Sequence, residues 1–192
     1  MALVIQTEPA EEPLSIEEVK THLRVDMDDD DDLIQNLITS SRQYAESYLK
    51  RALISQTWKY YPEEWPDGDY MELPMPPLQT VSSVVYTDYN STPATMTLTT
   101  NYVVDTYHEP GRVVLAYGQT WPSTTLTVTN PICVTYVCGF GTPEDIPRAI
   151  KSAMLIYIGT LYEQRESIIV GQTFSHLKTV EALLEPYRIY AF

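Results

Sequence analysis

Two amphipathic stripes of helical period stand toward opposite ends of this chain, and the sequence between them has the texture of strands. Leu33, Ile34, Leu37, Ile38, Tyr44, Ala45, Tyr48 and Leu49 recur at helical spacing, which predicts a helix over about residues 31–50. Ile150, Met154, Tyr157, Ile158, Leu161 and Tyr162 do the same over about residues 144–164. A helix with one apolar face must bury it against another element. These are the two long helices the sequence offers, so each is the other's most economical partner. The expected fold is therefore α+β: a helical domain formed by residues 14–55 plus 142–185, with residues 56–141 inserted as an antiparallel β-rich lobe, either a sandwich or a small barrel.

Local signals support that division. Ser15 followed by Glu18 is a capping box, which starts a short helix over about residues 16–24. Thr142 and Pro143 form a second start signal, with Glu144 and Asp145 placed to favour a positive helix end. Between them lie short alternating runs: Thr57–Tyr61, Val81–Tyr86, Thr95–Leu98, Tyr102–Val104, Arg112–Tyr117, Thr125–Thr129 and Ile132–Cys138. In the last run Ile132, Val134, Tyr136 and Cys138 share one face. Residues 1–13, with Pro9 and Pro13, read as an extended N-terminal arm. A looser stretch at 167–175 precedes a last helix over about Leu177–Leu184, which stops at Pro186 and leaves residues 186–192 as a C-terminal tail.

Charge limits the functions available. The net charge of −14 is spread as −7 over residues 1–55, −6 over 56–141 and −1 over 142–192. Affinity for the phosphate backbone comes mainly from Lys and Arg, so this balance argues against gripping nucleic acid. It suits a wall past which DNA slides, and from charge alone it suits a generic acidic cytosolic protein equally well. No apolar run approaches the ~20 residues that span a bilayer. The N-terminal residues lack both the positive flank and the apolar core of a signal peptide. Cys133 and Cys138 point to opposite faces of one predicted strand and read as reduced core residues of a protein made in a cytoplasm.

The inventory for chemistry is thin. His22, His108 and His176 stand in no metal-binding pattern, and the expectation is no cofactor, no metal and no enzymatic reaction. The run from Asp26 to Asp32 lacks the glycine and the terminal carboxylate of a calcium loop in either register, and acidic residues ahead of a helix already favour its positive end. Gly139–Gly141 leads toward a helix without the lysine of a phosphate loop, and reads as a strand-to-helix turn. Tyr60, Tyr61, Trp65, Tyr70, Tyr86, Tyr89, Tyr102, Tyr107, Tyr117 and Trp121 crowd the middle of the chain. Core packing and a subunit interface account for them best, because stacking on nucleic acid normally comes with a basic groove.

The order of parts from Leu14 to Trp58 resembles the N-terminus of the head–tail connector proteins, or head-completion adaptors, of long-tailed bacteriophages. The resemblance extends through LPMPPLQTVSSVVYTD, YVVDTYHEPGRVVLAYGQTWP, VTYVCGFGTPEDIPRAIKSAMLIYIGTLYEQRE and VEALLEPYR, in the same order and at similar spacing. It implies a non-catalytic subunit of a homo-oligomeric ring, usually of twelve. Such a ring sits in the virion neck on the portal protein, extends the channel for double-stranded DNA and offers a platform to the next neck or tail component. Within that picture the aromatic tail residues Tyr187, Arg188, Ile189, Tyr190 and Phe192 are the candidates for portal binding. Asp28, Asp29, Asp30, Asp31 and Asp32 are the candidates for lining the DNA channel. The competing readings are a β-sandwich glycan-binding module built on the aromatic middle, a hydrolase using loop carboxylates, and another neck ring such as a stopper or tail terminator.

Overall fold

A computed structural model describes residues 1–163 and 175–190, the second stretch with side chains from residue 178 on. The chain divides into a helical unit, Glu11–Ile54 plus Phe140–Ala191, and a β unit, Met1–Ala10 plus Ser55–Gly139.

In the helical unit, α1 (Ile16–Leu23), α2 (Asp31–Leu49), α3 (Arg148–Glu163) and α4 (Ser175–Leu184) surround one apolar core. The Ser15–Glu18 box is formed: the Ser15 N–H donates to Glu18 Oε2 at 2.9 Å and the Glu18 N–H to Ser15 Oγ at 3.1 Å. Both α1 and α2 end on a basic residue in the left-handed region, Arg24 and Lys50, where a cation also suits the negative end of the helix dipole. Ile34, Ile38, Ala45 and Leu49 of α2 are buried in one cluster with Ile150, Ala153, Met154 and Ile158 of α3. Each large aliphatic side chain buried this way contributes about 1.5–3 kcal/mol. Tyr44 stacks on Tyr157 across the same seam, with ring centroids 4.5 Å apart. The stretches that enter and leave the unit run side by side: Ile54 and Gly141 form a parallel bridge, and the Phe140 N–H donates to the Leu53 carbonyl at 3.2 Å.

The β unit contains two antiparallel sheets, and neither closes into a barrel. The larger has the order β1 (Ala2–Thr7), β2 (Gln56–Tyr61), β8 (Ile132–Cys138), β4 (Leu78–Thr87), β5 (Pro93–Met96). The smaller has the order β3 (Tyr70–Glu72), β7 (Arg112–Leu115), β6 (Tyr102–Asp105). Strand β8 is central, and its Ile132, Val134, Tyr136 and Cys138 are all buried, as their alternation predicts. The Tyr136 hydroxyl, pushed far up in pKa by burial, donates to the Pro74 carbonyl at 2.8 Å. Met71, Val113 and Tyr102 form the buried face of the smaller sheet.

The α+β class and the order of elements follow the sequence expectation, while several elements differ from it. Ala2–Thr7, read as part of an extended arm, pairs with β2 as an edge strand, because its side chains alternate and no charge or proline intervenes before Glu8. Tyr70–Glu72 forms a short strand that its proline-rich surroundings concealed. Thr125–Thr129 forms no strand: it contributes one bridge, Leu126 to Asp88, and Val128 is 99% exposed. Its β-branched residues have no face to bury. The helix expected from Thr142 instead begins with a 3-10 turn at Pro143–Asp145. Ile146 then turns extended ahead of Pro147, as residues before proline do, and α3 starts at Arg148. The looser stretch at 167–175 lies outside the described residues except for Ser175, where α4 begins.

Candidate functional site

The C-terminal tail is tied to the end of α2. A 3-10 turn, Glu185–Tyr187, follows α4, and beyond it the Ile189 N–H donates to the Leu49 carbonyl at 2.9 Å. Arg51 Nε donates to the Tyr187 carbonyl. Glu185 is the hub: one carboxylate oxygen accepts from the Tyr190 hydroxyl and the other from the Tyr48 hydroxyl. Arg188 lies over the Tyr48 ring at 4.8 Å and over the Tyr190 ring at 5.3 Å, with its Nη1 3.8 Å from Glu185. The Tyr190 and Tyr48 hydroxyls hold the Glu185 carboxyl below its ordinary range, and Glu185 in turn pushes the Tyr48 phenol up to about 12. Of the expected portal-binding residues, Tyr187, Arg188 and Ile189 are half-buried against their own chain and Tyr190 stays 74% exposed. Phe192 lies outside the described residues.

The acidic turn ahead of α2 is partly neutralised from within. Lys20 of α1 places its ammonium 2.6 Å from Asp28 Oδ1 and 2.8 Å from Asp31 Oδ1. The hydrogen bond to Asp28 raises the Lys20 pKa above its ordinary value and lowers that of Asp28. Asp30, the N-cap of α2, accepts from the Tyr162 hydroxyl of α3. Asp29 and Asp32 face solvent. The five aspartates thus include two that are available as bare surface charge and three that help fasten α1 and α3 to the start of α2. Among the described residues no His, Cys, Asp or Glu side chains gather as a metal site, and no helix is long and apolar enough to cross a membrane.

Three aromatic residues of the β unit pack on one another, while Tyr89, Tyr107 and Tyr117 are exposed. Trp65 stacks on Trp121 at 5.0 Å and meets Tyr86 edge-on at 5.9 Å, and the Trp121 indole N–H donates to the Gly68 carbonyl at 2.7 Å. Beside this cluster a cavity of about 390 Å³ opens between the end of β2 and β3.

One charged group escaped the sequence reading. Arg42, on α2 and 5% exposed, donates from Nε to Glu12 Oε2 at 2.8 Å and from Nη1 to Glu46 Oε2 at 3.2 Å. Glu12 also accepts from Thr39 Oγ1 at 2.9 Å, and Glu46 Oε1 accepts from the Leu53 N–H at 2.9 Å. The spacing of four between Arg42 and Glu46 was a legible helix pair. Its burial was not, because the third partner lies 30 residues away.

The model of the phage gp6-like head–tail connector protein family matches residues 13–110, just over half of the chain. No curated protein matches the sequence. A chain in the neck of an empty GTA particle, computed with C6 symmetry, is 22% identical, with a TM-score of 0.80 over 100% of this chain and 97% of that one. A chain in the virion of the native gene transfer agent particle (TM-score 0.77, 22% identity) and one in the native GTA neck computed with C12 symmetry (0.78, 21%) are alike over the same shares. At this identity the likeness is one of fold, and it extends over both units. The matched residues carry the Ser15 cap, the stripe of α2 and five of the eight strands, β2 to β6, and by them the chain belongs to the phage gp6-like head–tail connector protein family.

Proposed function

We propose that this chain is a structural, non-catalytic connector subunit of a virion neck, made in the cytoplasm of a bacterial host. It assembles with further copies of itself into a ring, of twelve in the simplest case. That ring is seated on the portal ring, extends the DNA channel and presents a platform to the next neck or tail component. The observation that carries the reading is family membership through residues 13–110, together with a fold alike over its whole length to chains from necks computed with C6 and C12 symmetry.

In this reading Asp28, Asp29, Asp30, Asp31 and Asp32 line the channel. Asp29 and Asp32 supply the exposed negative charge that keeps phosphates moving, and double-stranded DNA passes without sequence-specific binding. Tyr187, Arg188, Ile189, Tyr190 and Phe192 meet the portal, with the exposed Tyr190 ring foremost. Deleting residues 186–192 would also remove the hydrogen bonds that tie the tail to Leu49 and Arg51, so Tyr190→Ala is the cleaner probe of that contact.

The test is the mass of the full chain, alone and mixed with its portal, by light scattering behind a sizing column. A ring, or co-elution with the portal, is the expected result. A strict monomer that ignores the portal would overturn the reading.

A further inference from the structure

The cavity beside β3 combines two kinds of wall. Tyr60, Trp65 and Tyr70 present aromatic surface, and Glu64, Asp67 and Glu72 place carboxylates around it, with no lysine or arginine in the lining. An aromatic face attracts a cation through its quadrupole, and a neighbouring carboxylate adds Coulombic attraction. Such a cavity accepts an ammonium or guanidinium and repels an anion. The Tyr70 ring already takes one cation this way: the Arg112 guanidinium lies 4.7 Å from its centroid. Tyr70 also begins an apolar shelf. On the outer face of the small sheet it stands in register with Val114, which stands in register with Val103, and Tyr70 and Val103 are 44% and 43% exposed. A polar pocket beside an exposed apolar row has the anatomy of a protein interface.

The distribution of charge says which surface fits it. Of the 12 lysines and arginines in the chain, only Lys59 and Arg112 belong to the β unit. The rest belong to the helical unit, where Arg24, Lys50, Arg148 and Lys178 are exposed. The complement of one copy's cavity is therefore carried by the helical unit of another copy. The two patches differ, so the contact is heterologous, the kind that closes into a ring when its rotation permits.

We infer that the acidic aromatic cavity of the β unit receives a lysine or arginine side chain from the helical unit of a second copy. The inference rests on the reading of the chain as a ring subunit and adds the subunit contact to it. The test is the full chain carrying Glu64→Lys and Asp67→Lys, two exposed positions, compared with wild type by light scattering with and without the portal. A thermal melt of each protein reports folding. Expected is loss of the ring with an unchanged melt. A variant that assembles like wild type overturns the inference and leaves the connector reading intact. A variant that forms rings but no longer co-elutes with the portal assigns the cavity to the portal and overturns the second copy as occupant. A wild-type chain that stays monomeric with the portal overturns the connector reading and the inference with it. Should the double variant melt early, Tyr70→Ser removes one aromatic wall at a half-exposed position and is judged by the same outcomes.

Discussion

The helical and β units bury their interiors with opposite uses of charge. Inside the helical unit Arg42 lies between Glu12 and Glu46, a cation and two carboxylates among aliphatic side chains. The buried face of the β unit's central strand is apolar, and its one polar tip, the Tyr136 hydroxyl, needs only a carbonyl. Strand pairing is directional: ladder hydrogen bonds and the two-residue period set the register by themselves. Packing of helix stripes is less selective, and here an ion triad ties the entry segment at Glu12 to one place on α2. Interior charge stands where backbone hydrogen bonding does not dictate the arrangement.

That contrast can be broken by measurement. Arg42→Met leaves Glu12 and Glu46 facing each other without their cation, and should cost about 3–5 kcal/mol of unfolding free energy in a denaturant titration. A cost below about 1 kcal/mol, the range of an exposed ion pair, would mean that the triad is well solvated and that the contrast is empty. Tyr136→Phe in the β unit strands the Pro74 carbonyl and should cost about 1–3 kcal/mol. If it equals or exceeds the Arg42 variant, polar groups matter as much inside the sheets as inside the helices. Ser15→Ala removes one half of the α1 capping box and should cost about 1 kcal/mol, read as an earlier thermal midpoint.

The smallest effect concerns the tail. Glu185 is held below its ordinary pKa, so its contribution is complete above the range where a free glutamate titrates and is lost as pH falls through the depressed value. Acidification should release Tyr190 from Glu185 before the helical core melts, and the Tyr190 ring resonances followed by NMR with pH would show it. Tyr190 resonances that stay unchanged until the core melts would mean that Glu185 does not hold the tail.

Much of the fold was legible because the signals that carry it are local. The Ser15–Glu18 box, the α2 stripe and the alternation of β8 each lie within a few residues. What stayed hidden depends on partners remote in sequence. Strand β1 becomes a strand by pairing with β2, whose paired residues lie fifty or more positions away. The tail docks because Leu49 and Arg51 offer it a carbonyl and a guanidinium across more than 130 residues. Thr125–Thr129 shows the reverse error, strand composition with nothing to bury. Of the candidate sites, the acidic turn was visible as composition. Its neutralisation by Lys20 and its hydrogen bond from Tyr162 were not, because one partner sits on α1 and the other on α3.

The way both units are stitched from two stretches of chain has a consequence for synthesis. When a ribosome has delivered the chain as far as Gly139, the β unit has all of its strands, β1 included. Meanwhile α1 and α2 wait with Ile34, Ile38 and Leu49 uncovered, because Ile150, Met154 and Ile158 have not yet been made. A transcript broken between β8 and α3 would yield a finished sheet joined to an uncovered helix pair, a species prone to aggregate and a natural client for chaperones. Only chains read through α4 could present two closed units, so translation itself would screen which chains finish folding.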